Sequence, residues 1–197
     1  MDKRSFVKRG ILGTIAVFVS GKAYNLEYYP MPSGKKWAIL YGTWCGSARD
    51  AGLWISEGMD GIANVFDARE NPDLSGYDYV VIGGAIRAGK TTPELIAYIE
   101  KNKNILKSKI RGYFALCGNM MRPAGPAQVK SMIDDHIAAL CGVSGMPSAV
   151  FLGRITYGLM DADSRKMMES MGMKEYDNLK RPECMAFGKQ VLTATAS

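Results

Sequence analysis

Five short apolar runs, at residues 37–42, 62–66, 77–82, 111–117 and 148–152, recur along this chain with helix-forming segments between them. Each is closed or followed by Gly or Asp, the residues that end strands in tight turns. Runs this short, rich in Val, Ile, Tyr and Phe, read as strands buried on both faces. Strands that alternate with helices build a parallel sheet with helices on both sides and right-handed crossovers. The pattern predicts a doubly wound α/β domain over residues 36–197. A chain of 197 residues with 47% apolar content supports one such core.

The segments between the runs carry helix signals. Residues 47–56 have Ala48, Ala51, Leu53, Trp54 and Ile55 at helical spacing. Thr92 is placed to cap a helix with Pro93 at its first position and Glu94 behind it, reaching about residue 104. Residues 127–140 are amphipathic, with Val129, Met132, Ile133, Ile137 and Leu140 on one face. Further helices are predicted at 164–171 and 182–192, and 69–76 is too polar for a long helix.

In an open parallel sheet of strand order 2-1-3-4-5, ligands bind beyond the carboxyl ends of the strands, between strands one and three. The loops there are 43–48 and 84–90, with 117–121 beside them, and all are rich in Gly, Ala and small polar residues. Such loops let a flat ligand approach the backbone. The first has the strand–small-residue loop–helix form that offers N–H groups and hydroxyls to a phosphate.

At these loops the chain resembles a known family. Tyr41-Gly-Thr-Trp-Cys-Gly-Ser-Ala48 looks like the flavodoxin phosphate loop, a [Ser/Thr]-x-x-Gly-x-[Thr/Ser] pattern. The stretch Tyr77-Asp-Tyr-Val-Val-Ile-Gly-Gly-Ala-Ile-Arg-Ala-Gly-Lys90 closely resembles the third-strand segment of the flavodoxin-domain group that contains menaquinone-dependent protoporphyrinogen oxidase. Gly153-Arg-Ile-Thr-Tyr157 fits that group as well. The resemblance implies a flavodoxin-like fold and FMN as cofactor. By it, Thr43, Trp44, Cys45, Gly46, Ser47 and Ala48 would cradle the phosphate. Ala85, Ile86, Arg87, Ala88 and Gly89 would line one side of the isoalloxazine, and Gly118, Asn119 and Met120 the other. Ala48 stands in place of the pattern's last hydroxyl, and Ala88 where an aromatic often covers the flavin, which leaves Trp44 to stack.

The implied function is an FMN-binding redox protein, either an electron carrier or a small oxidoreductase. Protoporphyrinogen-oxidase-like chemistry is its narrower form, and the partner would be a redox protein or a quinone. The alternative that Ala48 and Ala88 raise is a binding or scaffold module on the same fold that has lost tight FMN binding. No residue announces itself as a general acid or base.

Composition bears on the remaining classes. Residues 1–36 hold seven basic and two acidic residues, and subtracting these from 25 and 19 leaves 18 against 17 in the body. The excess of +6 therefore belongs mostly to the N-terminus, and the body is not read as a nucleic-acid binder. Lys3, Arg4, Lys8 and Arg9, followed by an apolar run at 10–19, form a targeting pattern. Lys3-Arg-Ser-Phe-Val-Lys8 looks like a twin-arginine motif with Lys in the first place. Residues 1–21 are expected to be an export signal or a membrane anchor, and 22–35 a linker. Export or anchoring places the protein in the periplasm or cell envelope, and without it in the cytoplasm. Cys45, Cys117, Cys141 and Cys184 have no metal-site spacing, and no metal is expected. Cys117 and Cys141 read as buried small residues, and Cys45 as a loop residue before a reactive thiolate. The only histidine, His136, is expected on a solvated helix face.

Overall fold

The computed structural model describes residues 15–19, 22–26, 34–118 and 121–196. Five parallel strands form the central sheet: β1 (Trp37–Gly42), β2 (Ala63–Asp67), β3 (Tyr79–Ile86), β4 (Ile110–Cys117) and β5 (Ser148–Leu152). Their order is β2-β1-β3-β4-β5, which is the expected 2-1-3-4-5. Trp37 stands beside Ala63 on one side and Tyr79 on the other, and Tyr113 beside Ser148.

The strands read as apolar runs because the sheet is covered on both faces. Every residue of β1 is buried. Its Trp37, Ile39 and Tyr41 face one layer together with Val81, Phe114 and Leu116. That layer is built by α1 (Ser47–Gly58) through Ala48, Ala51 and Ile55. The C-terminal helix, Arg181–Ala196, completes it with Cys184, Phe187 and Val191. Ala38, Leu40, Val80, Ile82, Tyr113 and Ala115 face the opposite layer. There α2 (Pro93–Leu106) contributes Leu95, Tyr98, Ile99 and Leu106. A helical segment over 126–141, α3, adds Ile133, Ile137 and Cys141. Burial pushes the Cys141 thiol up to about 11 and that of Cys184 up to about 12, so both are inert small apolar residues at neutral pH.

α3 differs from the simple α-helix predicted. Pro126–Val129 and Ala139–Cys141 are α-helical, but Lys130–Ala138 is π-helical. The π-helical stretch buries Ile133, Ile137 and Ala138, and Cys141 is buried in the α-turn that follows. The segment from 153 to 180 is not a plain connection either. It holds a two-stranded antiparallel pair, β6 (Arg154–Ile155) with β7 (Tyr176–Asp177), and α4 (Ala162–Ser170) between them. With it, the C-terminal helix is α5.

At the N-terminus, Ile15–Val19 and Lys22–Leu26 pair as an antiparallel hairpin, so part of the stretch read as a linker is a strand. The rest of the targeting segment lies outside the described residues, as do Asn119 and Met120. Among the described residues no helix is long and apolar enough to cross a membrane.

Candidate functional site

The order reverses between β1 and β3, and a cavity of about 360 Å³ opens there beyond the strand ends. Of the residues singled out in sequence, Trp44, Cys45, Ser47, Ala85, Ile86, Arg87, Ala88, Gly89 and Gly118 line it together. Ala85 and Ile86 are the last residues of β3, which runs past the predicted end at 82.

Thr43, Gly46 and Ala48 act on the loop rather than the cavity wall. The Gly46 N–H donates to Thr43 Oγ1 at 3.0 Å, which ties the loop across its own turn. Gly46 has φ 80°, a left-handed conformation that a side chain resists. Ala48 is fully buried in the core under α1, so what it offers the loop is its backbone N–H. α1 has no side-chain cap, whereas Thr92 caps α2 and Asp161 caps α4. Its first N–H groups are therefore open to an external acceptor, at the positive end of the helix dipole.

The second loop is a two-residue turn. Arg87 N–H donates to Lys90 O at 2.8 Å and Lys90 N–H to Arg87 O at 3.1 Å, with Ala88 at φ 50° and Gly89 at φ 77°. Ala88 thus occupies a position where a larger side chain would be strained, and no aromatic covers the cavity from there. Trp44 lines the wall instead, with the Arg87 guanidinium 6.0 Å from its ring centre.

The cavity roof comes from residues that sequence reasoning had not assigned to the site. Arg154, Ile155, Met160, Asp161, Ser164 and Met168 reach over from the 153–180 segment, and Met132 from α3. Arg87 Nη1 donates to Ser164 Oγ at 2.8 Å, and Ser164 Oγ donates to Asp161 Oδ2 at 2.5 Å. The Ser164 hydroxyl and N–H, with help from Arg87, hold the Asp161 carboxyl below the usual carboxylate range. This chain of contacts fastens the roof to the β3 loop. The hydroxyl of Tyr176 donates to Gly118 O, and Gly153 N–H donates to Cys117 O at 3.0 Å, fastening it to β4. Arg154 and Ile155 lay in the 153–157 motif and Met132 on the apolar face predicted for 127–140, while Met160, Asp161, Ser164 and Met168 carried no signal that placed them at the cavity.

His136 is not on a solvated face. It is half-buried, and its Nε2 accepts the Thr91 N–H at 2.8 Å, which pins the end of the 87–91 turn to α3. Desolvation, with the nearby Lys90, holds its pKa below the usual histidine value. Protonated, Nε2 becomes a donor facing a donor. A histidine with a lowered folded pKa stabilises the fold above its ordinary value of about 6.5, and that contribution is lost as pH falls through the folded value. The Thr91 amide resonance is expected to shift, and its hydrogen exchange to quicken, between pH 7.5 and 5. His136→Leu is expected to abolish that dependence. A Thr91 amide indifferent to pH over this range would show that the contact does not hold the turn.

No disulfide joins any of the four cysteines, and Cys45 Sγ lies 3.9 Å from both Ser47 Oγ and Arg154 O. No group of three or more metal-ligating side chains occurs among the described residues.

A family model described as a flavodoxin domain matches residues 38–181. The chain is similar in fold to Flavodoxin 1 from Bacillus cereus, at 12% identity and a TM-score of 0.50, over 80% of this chain and 97% of that one. It is similar to a WrbA-like flavodoxin from Agrobacterium tumefaciens at 11% identity and a TM-score of 0.50, over 83% and 99%. A third likeness is the Flv1 flavodiiron core from Synechocystis sp. PCC6803, at 12% identity, a TM-score of 0.50 and 82% of this chain. The chain spans 36% of the length of that flavodiiron core. No curated protein matches it in sequence.

Proposed function

This chain belongs to the flavodoxin-domain family, and from that premise we propose that it is an FMN-binding redox protein. The observation that carries the reading is the uncapped N-terminus of α1 at one end of a cavity walled by small-residue loops. Those residues fit the cofactor. The N–H groups at the start of α1 and the Ser47 hydroxyl suit a phosphate, and the Trp44 ring with the Ala85–Gly89 backbone suits a flat ring system.

Bound FMN supplies reversible electron and hydride chemistry. The chain's part is to hold and orient it, and Met132, Met160 and Met168 form an adaptable apolar cover that keeps water away. Arg87, over Trp44 and tied to Ser164, is placed to offset negative charge on the ring or to meet an acidic partner. The likeness at 77–90 supports a place near the menaquinone-dependent protoporphyrinogen oxidase group, with a quinone or a redox protein as partner. The basic and apolar N-terminal segment supports delivery to the cell envelope.

Purified full-length chain is expected to show flavin absorbance bands, and the apoprotein to bind FMN saturably with quenching of Trp44 fluorescence. A colourless protein that shows no saturable quenching up to millimolar FMN would replace this reading with that of a binding module on the same fold.

A further inference from the structure

The turn that walls the cavity with Arg87, Ala88 and Gly89 returns to the core through Thr91, which is buried. Thr91 packs on Gly84 of β3 so closely that a Cβ at Gly84 would come within 2.9 Å of its Oγ1. That hydroxyl has no hydrogen-bond partner among the described residues, so it does not hold the residue in place. The Thr91 N–H does, through its bond to His136 Nε2 on α3. Met132, on the same π-helical stretch as His136, lines the cavity itself. One stretch of α3 therefore supplies both a wall of the cavity and the anchor of the turn beside it.

An imidazole nitrogen accepts a hydrogen bond only while it carries no proton. A proton on Nε2 sets donor against donor and places a positive charge in a half-buried site. Burial, and then the Lys90 ammonium in the turn, disfavour that charge. The other charged groups around the site are engaged or solvated. Asp135 is paired with Lys130, and Asp134, like Glu94 and Glu100 on α2, is exposed. Arg87 is turned to Ser164 and Trp44. The layer beneath is apolar, and burial keeps its Tyr113 hydroxyl and Cys141 thiol neutral.

We propose that His136 is a positioning residue of the cofactor site: its neutral ring holds the 87–91 turn in the conformation that receives the flavin ring, so flavin binding and protonation of His136 oppose one another. The inference rests on the FMN reading above and adds a proton linkage to it. Linkage is reciprocal, so acid weakens flavin binding, and flavin binding at acid pH expels a proton. The effect acts through the ring, not the phosphate, and riboflavin feels it as FMN does.

The test is the dissociation constant of the full chain for each flavin between pH 8 and pH 5. The FMN phosphate itself titrates near about pH 6, so the readout is the ratio of the parent chain to His136→Gln. The glutamine amide oxygen can take the Thr91 N–H at every pH. Relative to that variant, the parent is expected to bind either flavin equally well at pH 8 and about five- to tenfold more weakly at pH 5. His136→Leu is expected to bind weakly at both, and circular dichroism checks that the variants are folded. A measurement on the parent alone needs no variant. Riboflavin titrated near the midpoint, in two buffers of different ionisation enthalpy, is expected to release a fraction of a proton. Parallel pH profiles for the parent and the glutamine variant, or no proton release, overturn the role of His136 and leave the FMN reading standing. A parent chain that binds neither flavin at pH 8 overturns both.

Discussion

Replacing Gly188 with alanine is expected to lower the melting temperature by roughly 5–10 °C, although alanine is the better helix former. Gly188 lies on α5 where that helix crosses α1, and a Cβ there would overlap the Ile55 carbonyl oxygen. Gly58 faces it from α1, where a Cβ would overlap the backbone of Met185. The two helices thus touch backbone to backbone, flanked by buried Cys184, Phe187 and Val191. Gly→Ala in a helix interior gains about 1 kcal/mol of propensity. Forcing the helices apart costs more, because overpacking runs at about 1–3 kcal/mol and often above that when backbone is involved. A net loss of about 2–3 kcal/mol corresponds to the stated shift for a chain of this size. A melting temperature within about 2 °C of the parent, followed by circular dichroism, would mean that α5 can slide off α1 without penalty.

Ser47→Asp is expected to reduce FMN affinity by at least about a hundredfold while the domain stays folded. Ser47 opens α1 and lines the cavity, at the one helix start among α1, α2 and α4 that lacks a side-chain cap. A carboxylate there interacts favourably with the helix dipole, by about 0.3–1 kcal/mol, so helix stability is not what is lost. It also occupies the space and the N–H groups that the phosphate needs. Two like charges about 4 Å apart repel by about 4 kcal/mol at an effective dielectric constant of 20. Riboflavin, which has no phosphate, is expected to be affected far less. Isothermal titration with both ligands decides the matter, and equal losses for the two would move the phosphate away from Ser47.

The sheet was legible in the sequence because burial on both faces leaves an unmistakable trace. Trp37 to Tyr41 has no polar residue to turn outward, and the same holds for Tyr79 to Ile82. The caps at Thr92 and the loop glycines were legible for the same reason, since the backbone geometry admits few alternatives. His136 was misjudged because its neighbours Asp134 and Asp135 are exposed, while its partner, the Thr91 N–H, is a backbone group 45 residues away. Ala48 was weighed as a missing hydroxyl when its side chain belongs to the core under α1.

The strand order, and with it the place where a ligand can enter, was expected from the flavodoxin resemblance at 41–48 and 77–90. Chain order and apolar patterning by themselves determined the five strands and the two covering layers. These depend on local periodicity and on the handedness of crossovers, both written along the chain. Only the tertiary structure decided what closes that place. The 153–180 segment folds back over the strand ends, where Ser164 meets Arg87 across 77 residues and Arg154 meets Asp50 across 104. Such pairings leave no period in the sequence, because each joins two single polar side chains whose meeting depends on the whole sheet being assembled first.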